Sequence, residues 1–289
     1  MTKKKKQTLK FLYNDRSGAS YEKQIKKFIK DNFIGKAEAL ALVEEDRRNL
    51  EYLEEKFKKN KEIVFAGVEQ FADALEFAHD SLKKDKKFAL EIIRKYKYKE
   101  VFKYFHDSLK KDREIVLEAV KANGYYLQYA HDSFKKDRDI VLEAVKTNAH
   151  GLQFADHSLK KDKKILIEML VHDDSQWFGL KYIDDSLKKD KEFALVVLNY
   201  VGEALEFFDE SLKKDKEIVL TAVKSWGEAL KHANQTLKKD REIVLEAVKE
   251  NGWALEFADK SLKEDPKIIA NIKKDKWYKA GKGEWDDKK

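Results

Sequence analysis

The stretch Asp112-Arg-Glu-Ile-Val-Leu-Glu-Ala-Val-Lys-Ala-Asn-Gly-Tyr-Tyr-Leu-Gln-Tyr-Ala-His-Asp-Ser-Phe-Lys-Lys136 decides the fold, because its pattern recurs along most of a 289-residue chain. Asp112 carries a side-chain oxygen able to accept from the free amides of a first helical turn, and Glu114 follows near the positive helix end. Ile115, Val116, Ala119 and Val120 then recur at helical spacing and define an amphipathic helix A. Asn123-Gly124 is expected to stop it, since both residues tolerate the left-handed conformation that ends many helices. A second short amphipathic segment, helix B, follows through Leu127, Tyr129 and Ala130 and closes before the next aspartate.

Aligning that aspartate along the chain gives Asp85, Asp112, Asp137, Asp162, Asp190, Asp215, Asp240 and Asp265, with Asn60 and, more weakly, Gly35 before them. The spacing is 25 residues, apart from 27 after Asp85 and 28 after Asp162. The single proline supports the cap assignment: Pro266 directly follows Asp265, at the first helical position, where a missing N–H costs nothing. Helix A, at about 12 residues or ~18 Å, cannot bury its apolar face alone and must stack on neighbouring copies. The expected fold class is all-α, an α-solenoid of tandem short helix-turn-helix repeats, about ten copies over residues 35–280. Residues 1–34 read as a basic arm plus a capping helix whose apolar side would carry Tyr21, Ile25, Phe28, Ile29 and Phe33, and residues 281–289 as a polar tail. A tenth copy runs from Asp265 into Trp277-Tyr278, followed by Gly281, Gly283 and Trp285.

Charge is unevenly placed. The formal net charge is +7. Residues 1–30 hold ten lysines and arginines, among them Lys3, Lys4, Lys5, Lys6 and Lys10, against Asp15 and Glu22, which makes +8. The rest holds 51 basic and 52 acidic residues, so the array itself is close to neutral. No stretch approaches the ~18 to 20 consecutive apolar residues of a membrane helix, and no secretory signal is read, so no membrane partner is expected and a cytoplasmic location is. Cysteine is absent, which removes disulfides, thiolate metal sites and cysteine nucleophiles together.

The unit Asp240-Arg-Glu-Ile-Val-Leu-Glu-Ala-Val-Lys-Glu-Asn-Gly-Trp-Ala-Leu-Glu-Phe-Ala-Asp-Lys-Ser-Leu-Lys-Glu264 resembles the repeat known as domain of unknown function 4116, found in bacterial and protist proteins. The capped Ile-Val-Leu-x-Ala-Val run, the Asn-Gly and the Ala-Leu-x-Phe-Ala block recur in order over roughly residues 35–275. The resemblance implies an all-helical array and no particular activity. The copies at 85–111 and 162–189 depart from it between the two helices.

Three motifs invite a chemical reading. His79-Asp80, His106-Asp107, His131-Asp132 and His172-Asp173 suggest metal ligands, but the first three occupy one repeat column. Successive copies stand about 10 Å apart, whereas a metal needs its ligands within ~2 Å of one ion. A surface turn in which His and Asp are interchangeable, as Asp209 and Asp259 suggest, is the expectation. The paired lysines before each cap, such as Lys110-Lys111, Lys135-Lys136 and Lys188-Lys189, would make a phosphate-binding ridge only if the acidic residues beside them left them uncompensated. Tyr129, Phe154, Phe207 and Phe257 lie at core spacing rather than on a stacking platform. No phosphate loop, nucleophile elbow or His-Glu-x-x-His occurs, so neither catalysis nor a cofactor is expected.

Columns in which copies disagree carry more information, because packing accounts for sameness. Between the helices the chain reads Asn-Gly-Tyr-Tyr to Tyr126, Asn-Ala-His-Gly to Gly151, Trp-Gly-Glu-Ala to Ala229 and Asn-Gly-Trp-Ala to Ala254. Both long copies place their extra residues there, at 95–100 and 172–177. A binding edge formed by Tyr96, Tyr98, Tyr125, Trp177, Trp226 and Trp253 is therefore expected, on a non-catalytic scaffold for a protein partner. Nucleic-acid or anionic-surface binding through Lys3, Lys4, Lys5, Lys6 and Lys10 is the alternative.

Overall fold

A computed structural model of the chain describes residues 19–32, 34–172 and 174–272. The chain forms two compact units, residues 1–135 and 136–289. We number the helices that follow a cap, after a leading helix α1. The first unit holds α1 (Ala19–Asp31), α2 (Lys36–Glu45), α3 (Lys61–Gln70), α4 (Lys86–Lys95) and α5 (Arg113–Ala122). The second holds α6 (Arg138–Thr147), α7 (Lys163–His172), α8 (Lys191–Tyr200), α9 (Lys216–Ser225), α10 (Arg241–Glu250) and α11 (Pro266–Ala270). Within each unit the helices pack in sequence order, α2 on α3 and α4 on α5, then α8 on α9 and α9 on α10, the architecture of an all-α repeat solenoid. No strand occurs among the described residues.

Each helix starts where the aspartate column places it. Asp112 Oδ1 accepts from the amides of Glu114 (3.0 Å) and Ile115 (3.3 Å), and Pro266 is the first residue of α11. Gly35 has no side chain to offer, and Glu38 instead folds back to accept the Gly35 N–H at 3.2 Å, one half of a capping box. Helix α2 turns three residues into the core, Ala39, Leu42 and Val43, and each of the helices α3 to α10 turns four. In α5 these are Ile115, Val116, Ala119 and Val120, all without exposure. On α1, Tyr21, Ile25 and Phe28 are buried as their spacing predicts, Ile29 is half-buried, and Phe33 lies outside the described residues. The Tyr21 hydroxyl meets the side chain of Asn49, which is itself fully buried and donates to the Leu42 carbonyl at 2.9 Å. Residues 1–18, Trp277-Tyr278, Gly281, Gly283 and Trp285 also fall outside the described residues.

Two expectations about the second half of the copy are corrected. Asn123 is extended, with φ −162°, and ends α5 without a left-handed residue. Its side chain accepts from the Tyr125 amide at 2.9 Å, so the asparagine opens the next segment as well as closing the last. That segment is a six-residue 3₁₀ helix, Gly124–Tyr129, followed by a single α-turn at Asp132–Lys135. The row Gly124, Leu127 and Ala130 is buried because side chains three apart eclipse in a 3₁₀ helix. The aromatic residues Tyr129, Phe154, Phe207 and Phe257 fall off that row and are half-buried instead of forming the core.

Glycine at the start of the 3₁₀ segment answers to the neighbouring copy. A Cβ on Gly202 would stand inside contact distance of the Ala222 carbonyl oxygen, and one on Gly227 inside that of Ala247. The Gly202 amide donates to Ser225 Oγ at 3.2 Å, and the Gly227 amide to the Glu250 carboxylate. One backbone hydrogen bond also spans successive copies. His106 N donates to the Lys83 carbonyl (3.1 Å) and His131 N to that of Lys110 (3.0 Å), while Asp209 N reaches Lys188 (2.9 Å) and Asp259 N reaches Lys238 (2.9 Å).

In the insertion after α4, Tyr96 is buried and Lys99 turns back onto the preceding copy. Lys99 donates to the carbonyls of Val68 (3.0 Å), Glu69 and Gln70 (3.4 Å), closing the C-terminal end of α3 with a cation. Tyr126 donates to the Lys97 carbonyl at 3.4 Å, which ties the insertion to the following copy.

Candidate functional site

The charged residues at the helix starts form a ladder. Lys86 lies 2.8 Å from Asp112, Lys191 2.7 Å from Asp215, Lys216 2.8 Å from Asp240 and Arg241 2.9 Å from Asp265, each pair joining a helix's first residue to the next copy's cap. A cap in this column therefore needs two carboxylate oxygens, one for its own amides and one for the neighbour's cation. Asn60 has only one acceptor oxygen, and Lys36 pairs with Glu62 instead. Arg241 holds the Asp265 carboxyl down to about 2.

The paired lysines are compensated as well. The first of each pair sits beside the acid three residues before it, as in Lys110–Asp107 (3.2 Å) and Lys188–Asp185 (2.8 Å), or donates to a carbonyl, as Lys238 does to Lys231 at 2.7 Å. The second approaches the next turn where that turn opens on an aspartate, as Lys161 does Asp184 at 3.5 Å, and, among the described residues, not where it opens on His106, His131 or Asn234. The His-Asp column is a set of turn caps: Nδ1 of His79, His106 and His131 accepts from the amides of Ser81, Ser108 and Ser133. Asp156, Asp184, Asp209 and Asp259 do the same work in other copies. The serine amide and hydroxyl hold Asp184 down to about 2. No cluster able to hold a metal ion occurs among the described residues.

The expected aromatic edge is only partly present. Tyr96 is buried, with the Lys95 and Lys99 ammonium groups over its ring, so the first member is corrected to a core residue. Tyr98 is 93% exposed. Tyr125, Trp226 and Trp253 are half-buried, and Lys231 covers the Trp226 ring at 4.5 Å. The side chain of Trp177 and all of Lys3, Lys4, Lys5, Lys6 and Lys10 lie outside the described residues.

A surface that the loop comparison missed lies on α7, α8 and α9. In the first unit Arg94 of α4 meets Glu118 of α5 at 2.8 Å, tying the solvent faces of two copies by charge. The residues at those two positions one joint into the second unit, between α7 and α8, are Val171 and Val196, which are 62% and 42% exposed. At the next joint they are Asn199 and Thr221, and Tyr200 beside them is 63% exposed. Leu195, Val196, Asn199, Tyr200 and Thr221 line an open groove of about 400 Å³ with no charged residue in its wall. The signal was in the sequence: Val196 stands where other copies have Glu91, Glu118, Glu143, Glu168 and Glu246.

The fold, the cap ladder and the 25-residue period together define the repeat against which known families can be compared. The sequence profile of the family described as Domain of unknown function (DUF4116) matches eight overlapping segments, 39–83, 60–110, 85–135, 112–160, 137–170, 176–213, 190–238 and 215–263. The chain belongs to the DUF4116 family. Six of the matches begin on a cap, at Asn60, Asp85, Asp112, Asp137, Asp190 and Asp215, so the DUF4116 register coincides with the helix starts seen in the structure. No curated protein and no solved structure matches the chain. No helix among the described DUF4116 repeats is long and apolar enough to cross a membrane.

Proposed function

We propose that this DUF4116 array is a non-catalytic protein-interaction scaffold, and that a partner docks on the uncharged surface of α7 to α9. The observation that carries the reading is the replacement of an inter-copy ion pair by exposed Val171 and Val196, with Tyr200 beside them. Exposed apolar side chains grouped on a regular helical face lower solubility unless something covers them, and an exposed tyrosine among aliphatic residues is a common interface anchor. Side chains that recur once per copy form rows, which suits recognition of an extended surface better than the convergence of groups that catalysis needs.

The test is a reversion to the pattern of the other copies. Val196→Glu with Tyr200→Ala introduces the residues that α5 carries at the equivalent positions, Glu118 and Ala122. The expected result is unchanged helicity and loss of a co-purifying protein that Leu117→Ala, made on α5, retains. A full set of partners retained by the double variant would overturn the reading.

One observation favours a second reading, nucleic-acid binding through the basic N-terminal region. On α1 the apolar side is buried, while Lys23, Lys27 and Lys30 are exposed along the opposite side at helical spacing. An amphipathic helix that binds a membrane inserts its apolar side, and here that side already packs on the first copy, which leaves contact with phosphates as the available mode. A titration with RNA and DNA at two salt concentrations tests it. Affinity that is absent at low salt, or that Lys23→Gln with Lys27→Gln and Lys30→Gln leaves unchanged, removes it.

A further inference from the structure

The first unit contains a second departure from the charge pairing seen between α4 and α5, of opposite character to the uncharged patch. At the joint between α4 and α5 the facing positions carry Arg94 and Glu118, an ion pair. At the joint between α3 and α4 the same two positions carry Glu69 and Glu91, and at the joint between α2 and α3 they carry Glu44 and Ala66. Two glutamates thus occupy the positions at which the next joint has a cation and an anion. Like charges so placed cost free energy that an arginine at position 69 would have turned into attraction.

Ala66 is small where most other copies carry glutamate, and this opens a groove of about 490 Å³. Its floor is Leu40, Phe65 and Ala66, with Phe65 held edge-on against Phe88 at 5.3 Å. Its wall carries four acids, Glu44, Glu62, Glu69 and Glu91, against Lys61 and Lys95. Lys61 pairs with Asp85 at 2.8 Å, and Lys95 lies over the Phe65 and Tyr96 rings, from where its charge reaches both Glu69 and Glu91, so the wall keeps an excess of two acids over its two cations. Glu62 pairs with Lys36, whereas Glu44, Glu69 and Glu91 have no lysine or arginine within ion-pair distance among the described residues.

We infer that this groove takes a lysine- or arginine-rich peptide segment carrying a bulky apolar side chain, the apolar group seated on Leu40 and Ala66 beside the Phe65 ring and the cations between Glu69, Glu91 and Glu44. The inference rests on the scaffold reading and adds a second docking site with a defined partner chemistry. Charge complementarity selects the occupant: an uncharged apolar segment would leave Glu44, Glu69 and Glu91 with Lys95 as the one cation in reach of two of them, and a nucleic acid would add to the repulsion.

The test uses the full chain and a fluorescein-labelled synthetic 14-residue peptide of leucine and lysine, with leucines at helical spacing, read by anisotropy. The same peptide with glutamate for lysine, and oligolysine without leucine, are the controls. Glu69→Arg installs the residue of the next joint, and Ala66→Glu installs the residue of most other copies, so both variants keep a side chain the repeat already accommodates. The expected result is binding of the leucine-lysine peptide alone, weakened about tenfold or more by Glu69→Arg and also by Ala66→Glu. Tighter binding to Ala66→Glu would show a merely electrostatic attraction and overturn the proposal, as would equal binding of oligolysine or no binding to the wild type. Self-association of the wild type in sedimentation, abolished by Glu69→Arg, would assign the groove to a second copy and overturn it too. Partner retention by Val196→Glu with Tyr200→Ala is measured separately, so failure here leaves the α7 to α9 reading standing.

Discussion

Lys216 and Asp240 stand one repeat apart, with the ammonium 2.8 Å from one carboxylate oxygen, while the other oxygen accepts the Glu242 and Ile243 amides at 2.9 and 3.3 Å. One side chain thus starts its own helix and fastens the previous one. Asp240→Asn keeps the cap and loses the pair, and Asp240→Ala loses both. The expected costs are ~0.5 kcal/mol for asparagine and ~1 to 2 kcal/mol for alanine, read from urea unfolding, because the pair is half exposed and the cap is not replaceable by water at the same geometry. A double-mutant cycle with Lys216→Met isolates the pair, and a coupling of zero would remove it from the account.

The ladder also sets an acid response. Arg241 keeps Asp265 at about 2, and the caps Asp85, Asp162, Asp190 and Asp215 are likewise lowered, chiefly by their lysine or arginine partners. Carboxylates lowered on folding contribute stability that is fully present above the ordinary aspartate range and is lost as pH falls toward the folded values. In the His232→Phe background, where the contribution of that histidine is removed, unfolding midpoints in urea are expected to hold from neutral pH down to about 5 and to drop steeply between roughly 4 and 2. High salt should shallow that drop.

Gly202 and Gly227 should not accept a methyl group. The Cβ of alanine would press on the Ala222 or Ala247 carbonyl of the next helix, and relief requires the two copies to separate. Gly227→Ala is expected to cost about 1 to 3 kcal/mol, against the gain that the same change gives on an unconstrained backbone. Equal or higher melting temperature would show that the approach is looser than described.

His232 occupies the column in which Phe77, Phe154, Phe207 and Phe257 stand, and its Nε2 is buried without a hydrogen bond, 3.8 Å from Glu206. Burial first, and then Lys231, Lys213 and Lys238, push its pKa down to about 4. The folded state therefore refuses a proton that the unfolded chain accepts near 6.5, and stability present above 6.5 is lost as pH falls from there to about 4. His232→Phe should raise stability by ~1 to 2 kcal/mol and flatten the profile across that window. A profile identical to the wild type would place the histidine in water.

Tyr96 and Tyr98, two residues apart in the same insertion, separate core from surface. Tyr98→Ala is expected to change stability by less than about 0.5 kcal/mol, and Tyr96→Ala to cost ~3 kcal/mol or more. Calorimetry of the two variants gives the comparison directly, and equal values would place both rings in solvent.

The amino-acid sequence by itself determined the period, the cap column, the buried positions of the capped helices and the placement of Pro266, because each depends on contacts within about one turn of chain. It also held the 3₁₀ segment in plain view, as the three-residue spacing of Gly124, Leu127 and Ala130, although a short apolar run reads equally well as α-helix until its hydrogen bonds are seen. Tertiary structure alone decided what faces a side chain from 23 to 31 residues away: that Lys99 closes α3, that Tyr96 turns inward while Tyr98 does not, and that Val171 stands at a position that carries an ion pair between α4 and α5. The physical reason is that the aromatic loop residues were judged by type, whereas exposure is set by the neighbouring copy, and the distance between copies is written in no single repeat.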